Sequence, residues 1–270
     1  MWRGGGRTRQ ARLPPMSEEG STRPADAEPY AALASVYDAV MEHVDYVLWA
    51  EYILSLIRTY RPDARDVLEL GCGTGSLAVE LTTLASYRYM ATDASPAMIE
   101  VARRKMTRHG GQVQCQVADV RDLTLEDQFD IALLLYDSIN YLLAEAEIRR
   151  MLSGVRRHLR RGGMFIFDQS TPANSLNNVE SFEDSGESEE GFFARKSRFD
   201  EETNLHHTTF DISLKSGEFH EHHVQRAYAV DEMCALIGPA DWDVIATLDG
   251  FSREPATGSS ERVHWILEAV

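Results

Sequence analysis

One short segment, residues 67–75 (VLELGCGTG), constrains the fold of this chain more than any other. An apolar, β-prone run leads into three glycines at alternate positions, and a helix-prone run from Ser76 to Leu84 follows. This pattern predicts a strand, a tight turn and a helix, the first half of a βαβ unit. Glycine lets the backbone turn sharply and lets a ligand approach the main chain. The N–H groups of such a loop and of the next helix favour a negatively charged group.

An acidic residue follows this loop at an informative distance. Residues 87–92 predict a second strand, and Asp93 stands at its carboxyl end. An acidic side chain there can accept hydrogen bonds from both ribose hydroxyls of a nucleoside. The loop spacing, G-x-G-x-G after Glu69, differs from the G-x-G-x-x-G spacing of dinucleotide-binding loops.

Strands and helices alternate as far as residue 168. Pro96 directly after Ser95 is typical of a helix start, and two glycines at 110–111 end that helix. The alternation predicts an α/β fold with a doubly wound, mainly parallel sheet. Strands are expected at 66–70, 87–92, 113–117, 129–135 and 164–168, and helices at 76–85, 95–110 and 144–159.

The chain divides into four segments by composition and pattern. A disordered tail is expected first, then an α/β core behind a helical lid, then an antiparallel β insert after strand five. A final segment adds a helix and two strands that bring the core sheet to seven strands. These segments cover residues 1–28, 29–170, 171–230 and 231–270.

The lid and the insert carry more detailed expectations. Apolar residues at helical spacing predict two lid helices, at 30–43 and 45–60. Residues 171–190 are polar and acidic and predict a mobile loop. Three antiparallel insert strands, a short helix and two closing strands are then expected at 191–199, 205–214, 218–228, 231–237, 242–248 and 262–269.

The sequence resembles the class I S-adenosylmethionine (SAM) dependent methyltransferases over residues 30–270, nearly everything except the tail. The leading segment around Tyr37 and Trp49 is similar to that of bacterial small-molecule members, among them amino-sugar and glycine-type N-methyltransferases. The matching motifs, in order, are E-L-G-C-G-T-G (69–75), T-D-A-S-P-A-M-I (92–99), A-D-V-R-D-L (118–123) and F-D-I-A-L-L-L-Y-D-S-I-N-Y-L (129–142).

This resemblance implies SAM as the cofactor and direct in-line transfer of its methyl group to a nitrogen or oxygen nucleophile of a small molecule. Glu69 is expected to orient the loop or to reach the amino group of the methionine part. Asp119 and Val120 are expected to meet adenine. The implied cofactor-binding residues are Tyr37, Trp49, Glu69, Gly71, Cys72, Gly73, Gly75, Asp93, Ala94, Met98, Asp119, Val120 and Tyr136.

Structural roles compete with several of these assignments. Asp119 could cap a helix or turn, and Met98 could be ordinary helix core. Tyr37 and Trp49 are expected to close over the sulfonium, since aromatic faces attract cations, but both could instead be core aromatics. Cys72 stands where the loop needs a small residue, so a nucleophilic role is not expected.

Four residues are expected on the catalytic side. Asp137 and Asn140 follow the fourth strand, at the edge where ligands of open α/β sheets bind. Strand alternation places His206 on one face of the insert with Phe210, Ile212 and Leu214. A turn at 215–217 would place His220, His222, Val224 and Arg226 on that same face. His206 and His222 would then line a substrate pocket, although an exposed hairpin or a dimer contact is the competing interpretation.

Composition restricts the partners. The formal net charge of −16 repels phosphate backbones and argues against nucleic acid as substrate. Three scattered cysteines indicate a reducing compartment and no disulfide frame, and no metal site is expected. The sequence has no signal-peptide pattern and no membrane span, so a cytoplasmic protein is expected, with Met16 as a plausible start. The insert offers a surface for a homodimer.

Other functions stay open at this point. An RNA or protein methyltransferase would need a basic or extended groove. A SAM-binding sensor or assembly factor would need the cofactor pocket without transfer activity. Aminopropyl transfer uses the same fold, but the segment 129–142 favours methyl transfer.

Overall fold

A computed structural model describes residues 24–110, 113–177, 182–238 and 241–270. The strands are β1 (Ala25–Ala27), β2 (Asp66–Leu70), β3 (Arg88–Asp93), β4 (Val113–Val117), β5 (Phe129–Leu134), β6 (Leu159–Ser170), β7 (Phe182–Glu187), β8 (Gly191–Asp200), β9 (Leu205–Leu214), β10 (Gly217–Arg226), β11 (Trp242–Asp249) and β12 (Arg262–Ala269). The α-helices are α1 (Tyr37–Val40), α2 (Tyr46–Tyr60), α3 (Ser76–Leu84), α4 (Pro96–Arg108), α5 (Glu145–His158), α6 (Pro172–Asn177) and α7 (Val230–Ile237). Short 3-10 helices span Leu33–Ser35, Val120–Asp122 and Ser138–Tyr141.

The core is a seven-stranded sheet in the order β11-β12-β6-β5-β2-β3-β4. Strands β2 to β6 are parallel to their neighbours, whereas β12 runs antiparallel to β6 and β11 antiparallel to β12. The expected α/β fold with a doubly wound, mainly parallel sheet is therefore confirmed. The chain leaves β2 towards β3 and β4, then returns to β5 on the other side of β2. Open α/β sheets bind ligands at such a switch point, beyond the carboxyl ends of the strands.

Helices cover both faces of this sheet. Helices α2, α3 and α4 bury residues such as Ile53, Leu77 and Ile99 against one face. Helices α5 and α7 bury Ile148 and Met233 against the other face. None of the helices in the described ranges is long and apolar enough to cross a membrane.

The caps of two helices follow the sequence pattern. The Asp45 carboxylate accepts the Leu48 N–H at 2.9 Å at the start of α2, and Ser95 Oγ accepts the Met98 N–H at 3.3 Å at the start of α4. Such caps satisfy N–H groups that have no partner inside the helix. Pro96 stands at the first helical position, as expected.

The single helix expected at 30–43 is wrong. This segment forms the 3-10 helix Leu33–Ser35 and the four-residue α1 instead. The N–H groups of Ala32 and Leu33 donate to the Glu221 carboxylate of β10 at 2.7 and 2.9 Å. The chain therefore enters the segment through contacts with the insert rather than through a continuous helix.

The insert forms a larger sheet than the three strands expected from sequence. Its order is β1-β10-β9-β8-β7, with β1 parallel to β10 and the other pairs antiparallel. The disordered tail expected at 1–28 is thus wrong for Ala25–Ala27, while residues 1–23 lie outside the described ranges. Phe193, Phe210 and Ile212 of this sheet pack against Val36 and Val40.

The mobile loop expected at 171–190 is also wrong in large part. Helix α6 and strand β7 occupy most of it, and residues 178–181 lie outside the described ranges. The acidic residues of β7 pair with cations of β8, where Asp184 contacts Arg195 at 2.7 Å and Glu183 contacts Lys196 at 3.1 Å. Cross-strand ion pairs therefore explain a polar sequence that resembled a loop.

Strand β6 starts earlier than expected. Residues 160–163, which were expected to separate the helix from the strand, are part of the strand, which begins at Leu159 instead of Met164. The Arg160 guanidinium contacts the carboxylates of Asp66 and Asp130, both at 2.7 Å. These ion pairs fix the basic residues at the entrance of the sheet.

The expected pairing of β9 with β10 is wrong by one residue. His222 lies opposite Thr209, and His223 lies opposite Thr208. A shift of one residue exchanges the two faces of a strand. The face of Phe210 and Ile212 therefore carries Phe219, Glu221, His223 and Gln225, and the expected group of His220, His222, Val224 and Arg226 lies on the opposite face.

Candidate functional site

The glycine loop after β2 adopts a conformation that L side chains rarely reach. Gly71, Gly73 and Gly75 have φ angles of +62°, +54° and +78°. A Cβ atom on Gly73 would lie 3.4 Å from Cε1 of Tyr37, so the Tyr37 ring covers this part of the loop. The structure therefore brings Tyr37 to the loop, and its expected contact with the sulfonium stays a prediction.

Asp93 lies at the carboxyl end of β3, beside this loop. Its two carboxylate oxygens accept the N–H groups of Gly73 at 2.9 Å and of Ser95 at 2.8 Å. Burial raises the pKa of Asp93, and these two hydrogen bonds oppose that rise. A carboxylate oxygen accepts more than one hydrogen bond, so the partly exposed Asp93 keeps capacity for a ligand hydroxyl. Its neighbour Ala94 is exposed.

Glu69 and Cys72 lie beneath the loop, out of solvent. The Glu69 carboxyl is buried and accepts the Tyr89 hydroxyl at 2.8 Å. Burial raises the pKa of Glu69 to about 8, so the group holds a proton near neutral pH. Burial also raises the pKa of the Cys72 thiol, which agrees with a packing role.

Aromatic rings pack together next to the end of β5. They border the region at the carboxyl ends of the core strands, between the glycine loop and Asp137, which we call the cleft. The Tyr136 ring lies 4.2 Å from Trp49 and 5.3 Å from Tyr46, measured between ring centroids. Trp49 itself is buried and also contacts Phe251 and His264. The buried Tyr136 hydroxyl has no hydrogen-bond partner within the described parts of the chain. Trp49 therefore supports Tyr136 from behind.

The residues expected at adenine lie at the end of β4. Asp119 caps the 3-10 helix Val120–Asp122, and its carboxylate binds the Arg121 guanidinium at 2.6 Å. Hydrogen bonds from the Arg121 side chain hold the pKa of Asp119 below its usual range. The structure thus shows the capping role that competed with an adenine contact. Met98 is buried in α4, as either interpretation requires.

A charged group stands where β5 and β6 end. Arg262 of β12 donates to the Asp137 carboxylate at 2.9 Å and also to the Asp168 carboxylate. Gln225 of the insert donates to Asp137 at 3.0 Å. Burial raises the pKa values of Asp137 and Asp168, and Arg262 opposes both shifts. When both carboxyls are ionised, the group of two carboxylates and one guanidinium carries one excess negative charge.

Asn140 is fully engaged with backbone groups. Its amide nitrogen donates to the carbonyl oxygens of Ser170 at 2.8 Å and Arg226 at 2.7 Å, and its oxygen accepts the Ser170 N–H at 3.1 Å. The side chain is buried. Asn140 therefore joins the core to the insert, and the geometry assigns it a positioning role rather than contact with substrate.

The two insert histidines that were expected to line a substrate pocket, His206 and His222, are not in contact. His206 bonds to Ser175 Oγ of α6 and packs on the ring of Phe199. His222 is exposed on the opposite face, where its Nε2 lies 3.2 Å from Nδ1 of His207. The expectation that His206 and His222 line one pocket is therefore wrong, and the cause is the one-residue shift in pairing.

Several side chains that the sequence did not single out complete the site. The Tyr30 hydroxyl donates to the Tyr141 hydroxyl at 2.6 Å, and the Tyr141 hydroxyl lies 3.0 Å from Nδ1 of His223. Nε2 of His223 lies 3.0 Å from the Glu221 carboxylate. Strand alternation alone places Glu221 and His223 on the same face of β10, but the register was needed to show that Phe210 and Ile212 lie on that face too.

Lys105 of α4 ties the leading segment to the glycine loop. Its ammonium contacts Asp38 of α1 at 2.9 Å, Thr74 at 3.0 Å and Ser76 at 2.7 Å. The Thr74 hydroxyl also donates to Asp38 at 2.6 Å. These contacts hold α1 over the loop.

Comparisons with known proteins agree with this architecture. A family model described as a methyltransferase domain matches residues 67–163. A putative methyltransferase from Geobacillus sp. (strain WCH70) is 26% identical over 257 residues, which cover 88% of this chain and 99% of the relative.

One further relative matches about half of this chain, and one solved structure matches most of it. A dTDP-4-amino-2,3,4,6-tetradeoxy-D-glucose N,N-dimethyltransferase from Saccharopolyspora spinosa is 30% identical over 138 residues, about half of each chain. The crystal structure of a SAM-dependent methyltransferase from Clostridium acetobutylicum superposes with a TM-score of 0.74 at 23% identity. That match covers 87% of this chain and 97% of the other. A methyltransferase domain at residues 67–163, together with the glycine loop and with Asp93 at the switch point of the sheet, supports SAM-dependent methyltransferase activity for this chain.

Proposed function

We propose that this methyltransferase transfers a methyl group to the amino group of a small, sugar-like acceptor. The observation that carries the proposal is the kind of side chain found at the carboxyl ends of the core strands. The Tyr37 ring covers the glycine loop, the Tyr136 ring follows β5, and Asp93 and Asp137 supply carboxylates. SAM, when bound, supplies an electrophilic methyl group whose bonding electron pair stays with sulfur on transfer.

The residues at the loop fit a nucleoside with an amino-acid end. The positive φ angles of the glycines keep Cβ atoms out of the loop surface, and Asp93 offers oxygen acceptors beside it. We assign the ribose hydroxyls to Asp93 and the methionine part to Gly71, Gly73 and Gly75. Tyr37 and Tyr136 would border the sulfonium, since aromatic faces attract cations.

The charges next to Asp137 favour a cationic group over an anionic one at the atom that is methylated. Asp137 is about a quarter exposed, and it shares the single guanidinium of Arg262 with the fully buried Asp168. Arg226, the next cation along the insert, is paired with Glu232 at 2.5 Å. An ammonium group therefore meets carboxylates that have negative charge to spare, and Asp137 is the group that we expect to orient it.

A relative supports nitrogen as the methylated atom. The Saccharopolyspora spinosa protein is named for N,N-dimethylation of a nucleotide-linked amino sugar. Its match to this chain includes 138 residues at 30% identity. An amine on a small sugar is therefore the first acceptor class to test.

A matched pair of acceptors tests this proposal. The purified chain is incubated with methyl-labelled SAM and either dTDP-4-amino-2,3,4,6-tetradeoxy-D-glucose or the same sugar with a hydroxyl at carbon 4. We expect label on the amino sugar and none on the hydroxyl sugar. Transfer to the hydroxyl sugar, or to bulk tRNA in a third reaction, contradicts the proposal, and so does SAM binding without transfer to any of the three.

A further inference from the structure

A hydrogen-bonded chain of four side chains connects the cleft to a buried carboxylate. It runs from Tyr30 to Tyr141 at 2.6 Å, from Tyr141 to His223 at 3.0 Å and from His223 to Glu221 at 3.0 Å. Tyr30 and Tyr141 are partly exposed, whereas His223 and Glu221 are 2% and 0% exposed. The Tyr30 ring lies 5.9 Å from the ring of Tyr37, which covers the glycine loop, so the partly exposed end of the hydrogen-bonded path lies beside that loop and the carboxylate end is buried.

This inference rests on the proposed amine acceptor. We propose that the four hydrogen-bonded side chains take up the proton that the amine loses in the reaction, with Tyr30 and Tyr141 next to the amine and His223 as the final base. An ammonium has no free electron pair, so its N–H proton must leave before nitrogen can form a bond to carbon. The structure offers one continuous path for that proton.

The direction of the path follows from the donors. Tyr30 donates its hydroxyl proton to Tyr141, so the oxygen of Tyr30 keeps electron pairs that can accept a hydrogen bond from the ammonium group of the substrate. The hydroxyl of Tyr141 then donates to Nδ1 of His223, which requires the tautomer with its proton on Nε2. That Nε2–H in turn donates to Glu221.

Every proton and bond in this transfer is accounted for by the amine and these residues. The acceptor N–H bond breaks and its electron pair stays on nitrogen, while Tyr30 gains that proton and passes its own to Tyr141. Tyr141 passes its proton to Nδ1 of His223, where a new N–H bond forms. The resulting imidazolium lies against the Glu221 carboxylate, and no oxidant or reductant is needed.

Glu221 is arranged to stay charged in spite of its burial. Burial raises its pKa, but hydrogen bonds from His223 and from the N–H groups of Leu33, Tyr30 and Ala32 outweigh that effect, and its pKa is lowered. A buried carboxylate of this kind stabilises a positive charge beside it far more than an exposed one does. Glu221 is thus a positioning residue that also supplies the counter-charge for His223.

The same contacts could serve a structural role only, and the test must distinguish that role from proton uptake by His223. Glu221 fixes the leading segment, and the histidine could simply fill space between it and Tyr141. The variant His223→Gln separates the two, because a glutamine amide can accept from Tyr141 and donate to Glu221 but cannot take up a proton. Its neighbour His222, exposed on the other face of β10, supplies the matched control His222→Gln.

The kinetic experiment compares these variants with the wild-type enzyme, using dTDP-4-amino-2,3,4,6-tetradeoxy-D-glucose as the probe. We expect His223→Gln and Tyr141→Phe to lower kcat about 100-fold while the KM for SAM stays unchanged. His222→Gln and Tyr87→Phe, which lie away from the chain of hydrogen bonds, should keep the wild-type kcat. Wild-type kcat in His223→Gln overturns the proposal.

A second measurement decides the proposal without any acceptor. Long-range proton–nitrogen correlation spectra of histidine-labelled protein report which ring nitrogen of His223 carries the proton. We expect the proton on Nε2, with a change of the Nδ1 resonance in Tyr141→Phe. A proton on Nδ1 removes the electron pair that the path needs and overturns the proposal, even if the proposed acceptor class is also wrong.

Discussion

The Gly73 N–H donates to the Asp93 carboxylate at 2.9 Å, although 20 residues separate them in sequence. This bond joins the loop after the first core strand to the end of the next strand. One carboxylate therefore fixes the glycine loop and faces the position that we assign to the ribose. We therefore expect loop geometry and cofactor affinity to be coupled through Asp93.

Replacing Asp93 should weaken the cofactor complex. Asp93→Ala removes the expected acceptor of the ribose hydroxyls, and hydrogen bonds to a charged group contribute roughly 1.5–3 kcal/mol each. We expect the Kd for S-adenosylhomocysteine, measured by calorimetry, to rise at least about tenfold. The control Asp122→Asn changes an exposed carboxylate at the end of the 3-10 helix Val120–Asp122 and should leave the Kd unchanged. An unaltered Kd in Asp93→Ala would contradict the assignment.

The loop itself can be tested with a single methyl group. Gly73→Ala forces an L side chain to a φ of +54° and brings its Cβ to within 3.4 Å of Tyr37. The left-handed conformation costs an ordinary residue roughly 1–2 kcal/mol, so urea unfolding should show a loss of about that size. Gly258→Ala meets nothing within 4 Å and should show no such loss. Equal stability of the two variants would refute the strain argument.

Glu69 predicts an unusual dependence of stability on pH. Its pKa is raised to about 8 in the folded state, chiefly by burial, so between its unfolded pKa and pH 8 the folded chain holds a proton that the unfolded chain releases. Stability therefore falls as pH rises through this window, by at most roughly 5 kcal/mol at 1.36 kcal/mol per pKa unit.

The variant Glu69→Gln removes this titration and keeps an acceptor for the Tyr89 hydroxyl. We expect its melting temperature, relative to that of the wild type, to rise steadily between pH 5 and pH 8. A constant difference across this range would show that Glu69 does not titrate there.

The Arg262 guanidinium is expected to stabilise the folded protein as well as to balance the charge of Asp137 in the cleft. Arg262→Met leaves Asp168, which is fully buried, beside Asp137 without their shared cation. Loss of a buried partner is expected to cost about 3 kcal/mol in urea unfolding. Adding Asp168→Asn removes one of the two stranded charges and should restore part of that loss. A double variant as unstable as Arg262→Met would argue against a charge effect.

Local signals in the sequence were sufficient for the core. Alternation of strands with helices, Pro96 at a helix start and the glycines of the loop are local signals. Apart from β6, which starts earlier than expected, the core elements from β2 to α5 lie within one or two residues of the expected positions. Asp93 and Tyr37 could be placed at the loop because their positions follow from strand ends and from the resemblance to known methyltransferases.

Long-range pairing explains what the sequence could not predict. The register of β9 with β10 depends on a tight turn, and a one-residue error exchanged His222 for His223 at the inner face. The strand β1 exists because Ala25–Ala27 pairs with β10, which no local pattern in a Pro-rich segment indicates. Arg262 contacts Asp137 across 125 residues of sequence, so the pairing of β12 with β6 is needed to bring them together.

A crystal structure of the chain with S-adenosylhomocysteine tests the central claim most directly. We predict one nucleoside per chain, with both ribose hydroxyls on the Asp93 carboxylate and the amino-acid part along the glycine loop, beneath Tyr37. A fully folded chain whose cleft takes up no nucleoside at saturating concentration, or one that holds it away from Asp93, would contradict the account.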